Sequence, residues 1–172
     1  QLESGRLPVP LKLIQESDVD ALLGEESLEN SLIAGLVGLA LVFVFMIIYY
    51  RMAGVVAAFA LMFYAVIVLA IFKMIPVTLE LAHIGGFILS IGIAVDANIL
   101  IFERMKEEVR IGRTLASSME VGFSRAWPAI RDSNISTMIT CVVLLWFGDR
   151  LGGGLVTGVA ISLFIGVAVS MF

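Results

Sequence analysis

Apolar and polar positions along the chain separate into a polar opening and five long apolar runs. The runs cover about 31–50, 52–72, 81–102, 129–147 and 151–172. Each is near the ~20 residues that a helix needs to cross roughly 30 Å of hydrocarbon. The predicted fold is therefore an all-α polytopic membrane bundle of five spans over 31–172. Arg51 alone separates the first two runs, and Asp149 with Arg150 separates the last two, so each pair forms an antiparallel hairpin. Lys73 and Pro76 close the second run. Residues 1–30 read as the end of an external domain and its linker, with extended backbone around Pro8 and Pro10 and an acidic, part-helical stretch from Asp18 to Asn30. The interval 103–128 is polar, but Met105, Val109, Met119, Phe123 and Trp127 recur at helical spacing. It predicts short amphipathic helices on the membrane surface, broken at Gly112.

Composition strengthens this division. Apolar residues make up 60% of the 172, and the mean hydropathy is +1.04, well above the ~45–50% apolar content of soluble domains. Residues 1–30 hold seven acids and two bases, a net −5, while the remainder holds nine bases and eight acids, a net +1. The bases also orient the bundle. Arg51, Arg104, Lys106, Arg110, Arg113 and Arg125 make six on one side, against Arg6, Lys12, Lys73 and Arg150 on the other. The expectation is a cytoplasmic 103–128 segment and C-terminus, with residues 1–30 outside. There is no basic tract for nucleic acid. The lone Cys141 forms no internal disulfide. No metal-ligand spacing, nucleophile–base pair or phosphate loop is present, which predicts a non-enzyme without metal or cofactor. The chain begins with Gln1 and reads as a piece of a longer protein.

Asp96 carries the chemistry. It lies inside the third run, about 7 Å from its midpoint toward the 103–128 side. A central Asp costs roughly 2.5–3.5 kcal/mol on insertion scales, so it must face protein or water. Burial of a carboxyl group favours its neutral form, and a nearby cation or water favours the anion. Alternating those surroundings makes such a group take up and release an ion, and moving one charge through the membrane potential is worth about 2.3 kcal/mol per 100 mV. The other reading is an Asp that only hydrogen-bonds a neighbouring helix. Asn98 and Glu103 are its candidate supports, Glu103 being one heptad further along; Glu103 reads equally as a headgroup-level charge paired with Arg104 or Lys106. The fourth run opens with Asp132, Ser133, Asn134, Ser136, Thr137 and Thr140. A start this polar should pack on the third run and offer partners to Asp96; Asp132 is a secondary candidate for ion handling. Gly154, Gly158, Ser162, Gly166 and Ser170 recur every four residues, and Gly85, Gly86, Ser90 and Gly92 do similar work in the third run. Both patterns predict close helix packing.

The run Asp96-Ala-Asn98-Ile-Leu-Ile-Phe-Glu103-Arg104-Met-Lys106-Glu107-Glu108 resembles the SecD branch of the SecD/SecF protein-export family, within the resistance-nodulation-division superfamily. So do Ser4-Gly5-Arg6-Leu7-Pro8-Val9-Pro10-Leu11, Gly122-Phe123-Ser124-Arg125-Ala126, and Asp132-Ser-Asn134-Ile-Ser136-Thr137, in the family's order. The resemblance implies half of a pseudo-symmetric transmembrane domain in the cell (inner) membrane, with SecF supplying the other half. It implies late-stage preprotein export beside the SecYEG channel, driven by a proton or sodium gradient through Asp96. Asp132 and Asn134 match the polar start of the family's fifth helix. Two alternatives stay open: a small-molecule or lipid exporter of the same superfamily, and a passive structural bundle of the translocon.

Overall fold

A computed structural model describes residues 21–74, 81–151 and 153–171. The extended piece expected near Pro8 and Pro10, the resemblance at 4–11 and the turn expected at Pro76 lie outside the described residues. The described residues form five helices: α1 (Ala21–Tyr50), α2 (Met52–Met74), α3 (Leu81–Arg110), α4 (Leu115–Leu151) and α5 (Gly154–Ser170). Three are long and apolar enough to cross a membrane: Glu26–Tyr50, Met52–Met74 and Leu81–Arg110. α5 has 17 residues, the short end of the spanning range. α4 has 37 residues, but its charged and hydroxylated first half keeps it out of that class.

The helices run further than the apolar pattern suggests. The expectation of separate surface helices across 103–128 is corrected: α3 continues to Arg110, and α4 begins at Leu115 and passes through Pro128 without a break. Residues 103–110 extend the helix because its good helix formers pair one turn apart, Arg104 with Glu107 at 2.9 Å and Lys106 with Glu103 at 3.6 Å. The chain breaks at Gly112, whose φ of +97° is easy only for glycine. Likewise α4 runs past Asp149 and Arg150 to Leu151, and α5 begins at Gly154, so the charged pair is helical and does not form the turn.

α3 is the hub and touches all four other helices. Around it lie a larger core of Met46, Leu61, Tyr64, Val68, Phe72, Ile91 and Val95 and a smaller one of Cys141, Leu163 and Val167. Apolar contact is weak glue in lipid, where hydrocarbon is the alternative neighbour; close packing and polar ties decide the fit. α5 meets α3 through small residues on both sides. A Cβ at Gly158 would sit 2.8 Å from that of Ala82, and one at Gly86 would sit 2.7 Å from the Val159 carbonyl oxygen and 2.8 Å from the Ser162 Cβ. A Cβ at Gly166 would overlap the Ser90 side chain. Gly85, Gly92 and Gly154, expected to serve the same packing, do not do so among the described residues: there a Cβ at any of them meets nothing within 4 Å. On α3 the packed stripe is Ala82, Gly86 and Ser90, and positions 85 and 92 fall off it by the helix's own turn.

Three polar ties fix α3 to its other neighbours. The Tyr64 hydroxyl of α2 donates to Ser90 Oγ at 2.9 Å, and Ser90 donates onward to the Phe87 carbonyl at 2.7 Å. The Tyr50 hydroxyl of α1 donates to Glu103 at 3.0 Å. Glu108, buried near the end of α3, accepts from Arg125 of α4 and pairs with Arg113 Nε at 2.8 Å. Charge-assisted bonds of this kind contribute about 1.5–3 kcal/mol. Glu108→Ala is therefore expected to loosen the α3–α4 turn, speeding trypsin cleavage at the exposed Arg110 and Arg113. An unchanged cleavage rate would show that the cluster does not hold the turn.

Candidate functional site

The polar first half of α4 lies along α3, and the two face each other through matching stripes. Ile93, Asp96, Ala97 and Leu100 follow the i, i+3, i+4, i+7 pattern of one helix face; Ile130, Ser133, Asn134 and Thr137 repeat it on the other. Between them is a cleft of about 150 Å³. Asp96 lines it and is exposed at the outside of the bundle. Asn134 lines it opposite and is only 2% exposed.

The cleft offers a carboxylate few partners of its own kind of strength. Thr137 donates its hydroxyl to the Ser133 carbonyl at 3.0 Å, and Thr140 does the same to Ser136 at 2.9 Å. Thr137 therefore shows the cleft acceptor lone pairs and no donor. The side-chain donors left beside Asp96 are the Ser133 hydroxyl and the Asn134 amide. Asn134 Nδ2 is buried and has no hydrogen-bond partner among the described residues; a buried unpaired donor costs about 1–3 kcal/mol. Among the described residues no Lys, Arg or His lines the cleft, and no three His, Cys, Asp or Glu groups lie close enough to hold a metal ion. The arrangement is an intramembrane carboxyl group with neutral neighbours and an opening. Among the described residues no ion pair holds that carboxyl group in place.

The remaining candidates sit elsewhere. Asn98 lines a different groove, with Tyr64, Phe123, Trp127 and Ser170; two residues along a helix is a turn of about 200°, the opposite side from Asp96. Glu103 is taken up by Tyr50 and Lys106. Asp132 is 67% exposed and pairs with its neighbour Arg131 at 2.9 Å. Of the six polar candidates, Asp96, Asn134 and Thr137 come together. Ser133 joins them at the cleft. Tyr50 was not among the candidates; its signal was a tyrosine pair beside Arg51 at the end of an apolar run.

Comparison with known proteins gives this carboxylate-bearing bundle its class. The family described as "Protein export membrane protein SecD/SecF, C-terminal" matches residues 7–172. The chain belongs to the SecD/SecF protein-export membrane protein family. Within it, the similarity is to proteins named protein translocase subunit SecD. The chain is 57% identical to that of Thermobaculum terrenum over all of its own length and 33% of the relative's. It is 57% identical to that of Dehalococcoides mccartyi, covering 38% of it, and 55% identical to that of Synechocystis, covering 36%. The chain thus spans about a third of these relatives. The fold is similar to the crystal structure of SecDF from Thermus thermophilus, a translocon-associated membrane protein, with a TM-score of 0.81 and 32% identity over 88% of this chain and 21% of that one. A second SecDF structure, in a super-membrane-facing form, gives 0.78 and 33% over 87% and 20%.

Proposed function

We propose that this chain is the membrane portion of a SecD-type subunit that couples an ion gradient to late-stage preprotein export. The observation that carries the reading is the cleft: Asp96 on the hub helix, facing a buried Asn134 and no base. An acid so placed exchanges its ion when the α3–α4 surfaces move relative to each other, and the movement is the output. The gradient supplies a proton or a sodium ion, and the chain uses no other cofactor. SecF supplies the second half of the transmembrane domain, SecYEG supplies the channel, and residues 1–30 lead to an external domain that handles the preprotein. The membrane is the cell (inner) membrane. The test is preprotein translocation into inverted vesicles with and without an imposed gradient, comparing the full-length protein with its Asp96→Asn variant. A small-molecule or lipid exporter, or a passive bundle, leaves the gradient-stimulated part of preprotein translocation unchanged in that variant.

Orientation follows the bases. The end of the bundle with Tyr49, Tyr50, Lys106, Arg113 and Arg125 faces the cytoplasm, and the end with Trp146 and Arg150 faces outside. Each end has a base over an aromatic ring, Lys106 at 4.5 Å from the Tyr49 centroid and Arg150 at 4.5 Å from that of Trp146. Such pairs anchor spans at interfaces. With an impermeant thiol reagent added outside, a cysteine at Arg150 is expected to label and one at Arg113 to stay protected. The reverse pattern overturns the orientation.

A further inference from the structure

We propose that the Tyr50 hydroxyl and the Glu103 carboxylate form the joint through which the state of Asp96 reaches α1. This rests on the coupling reading above and names its next member. Tyr50 is a positioning residue here, acting on α3 through Glu103.

Asp96 and Glu103 are seven residues apart on α3, on nearly the same face and about 10 Å apart along the axis. The helix is continuous between them, so a shift or rotation of α3 at Asp96 carries Glu103 with it. α1 runs beside α3 with apolar contacts at Gly35 and Ile88 and between the Tyr50 and Phe102 rings, whose centroids are 5.3 Å apart. Apolar surfaces in lipid slide at little cost, since an acyl chain replaces the lost neighbour. The Tyr50–Glu103 hydrogen bond at 3.0 Å is directional, and among the described residues it is the one hydrogen bond between α1 and another helix. Its acceptor is steadied from the other side by Lys106 at 3.6 Å, whose ammonium also lies 5.6 Å from the Tyr50 centroid. Donor, acceptor and cation therefore move as one group. α1 is packed mainly against α2, close to Gly54, and among its described side chains only Met46 is fully covered, so α1 and α2 would move together as one hairpin. Pulled at its Tyr50 end, α1 carries that motion along its length to its other end at Ala21, toward the residues assigned to the external domain.

The experiment uses the full-length protein in proteoliposomes with its export partners. An environment-sensitive dye is attached at Glu29→Cys, an exposed position of α1, after replacement of any reactive cysteine outside this segment; Cys141 is fully buried and does not compete. Imposing the gradient is expected to change the dye signal in the parent, and not in Asp96→Asn. Tyr50→Phe keeps the ring on Phe102 and removes the hydroxyl. It is expected to suppress the dye response and to lower gradient-stimulated translocation by about fivefold or more, the scale of a coupling between sites, with gradient-independent translocation unchanged. Glu103→Leu should do the same, and the double variant should be no worse than either single one, as for two partners of one contact. Glu103→Gln, which keeps an acceptor, should retain more of the response. A Tyr50→Phe protein with the full dye response, while Asp96→Asn has none, overturns the joint and leaves the coupling reading standing. A full response in Asp96→Asn overturns both.

Discussion

Asp96→Asn is expected to leave the protein folded and at normal level while removing the gradient-stimulated part of preprotein translocation. Asparagine has nearly the same shape and keeps two hydrogen-bonding ends, but it does not titrate and carries no charge for a cation. The bundle loses nothing structural, because among the described residues Asp96 makes no ion pair or hydrogen bond that the fold relies on. The effect should be about tenfold or more on the stimulated component, and nil on the component that runs without a gradient. Asp96→Glu keeps a titrating group on a longer stem in a cleft of about 150 Å³, so partial activity is expected. Asp132→Asn should change little, since its side chain is 67% exposed and its partner Arg131 is its own neighbour. Translocation at equal protein levels, with and without the gradient, decides. An Asp96→Asn protein that responds as the parent does would make Asp96 a packing residue.

Gly166→Leu should be the most damaging substitution in the packing of α5. A side chain there would meet the Ser90 side chain and lie within 2.8 Å of the Tyr64 hydroxyl. It therefore forces α5 off α3 and strains the Tyr64–Ser90 hydrogen bond that ties α2 to α3. Overpacking a close-fitted interface costs about 1–3 kcal/mol, occasionally more, and the lost bond adds about 0.6 kcal/mol in a membrane setting. Gly158→Leu meets Ala82 and His83 and should follow in the same direction. Gly154→Leu is the control, because a Cβ there reaches open space. Thermal unfolding in detergent gives the comparison, and equal stability of Gly166→Leu and Gly154→Leu would show that the α3–α5 seam is not tightly packed.

The spans were legible because runs of about 20 apolar residues have few other uses. The meeting of α3 and α5 was legible in outline, since small residues four apart mark a face. Which glycines lie on it was less so: Gly85 and Gly86 are adjacent, and a helix turns only one of them inward. Asp96 and the polar start of α4 announce themselves by their cost in hydrocarbon. Asn98 is near Asp96 in sequence, but two residues of helix place it on the far side. The helix through Pro128 was hidden because proline signals a boundary locally, whereas the structure shows the helix continuing across it. The Tyr50–Glu103 bond joins residues 53 positions apart, and no local pattern contains that pairing.

Arg51 is the whole of the connection between α1 and α2, and it takes a left-handed φ of +50°, unusual for a residue with a side chain. Beside it the two backbones come so close that a Cβ at Gly54 would overlap the Met46 carbonyl. A one-residue link therefore keeps the two helices together as a closed hairpin, with no slack for either to tilt away from the other at that end.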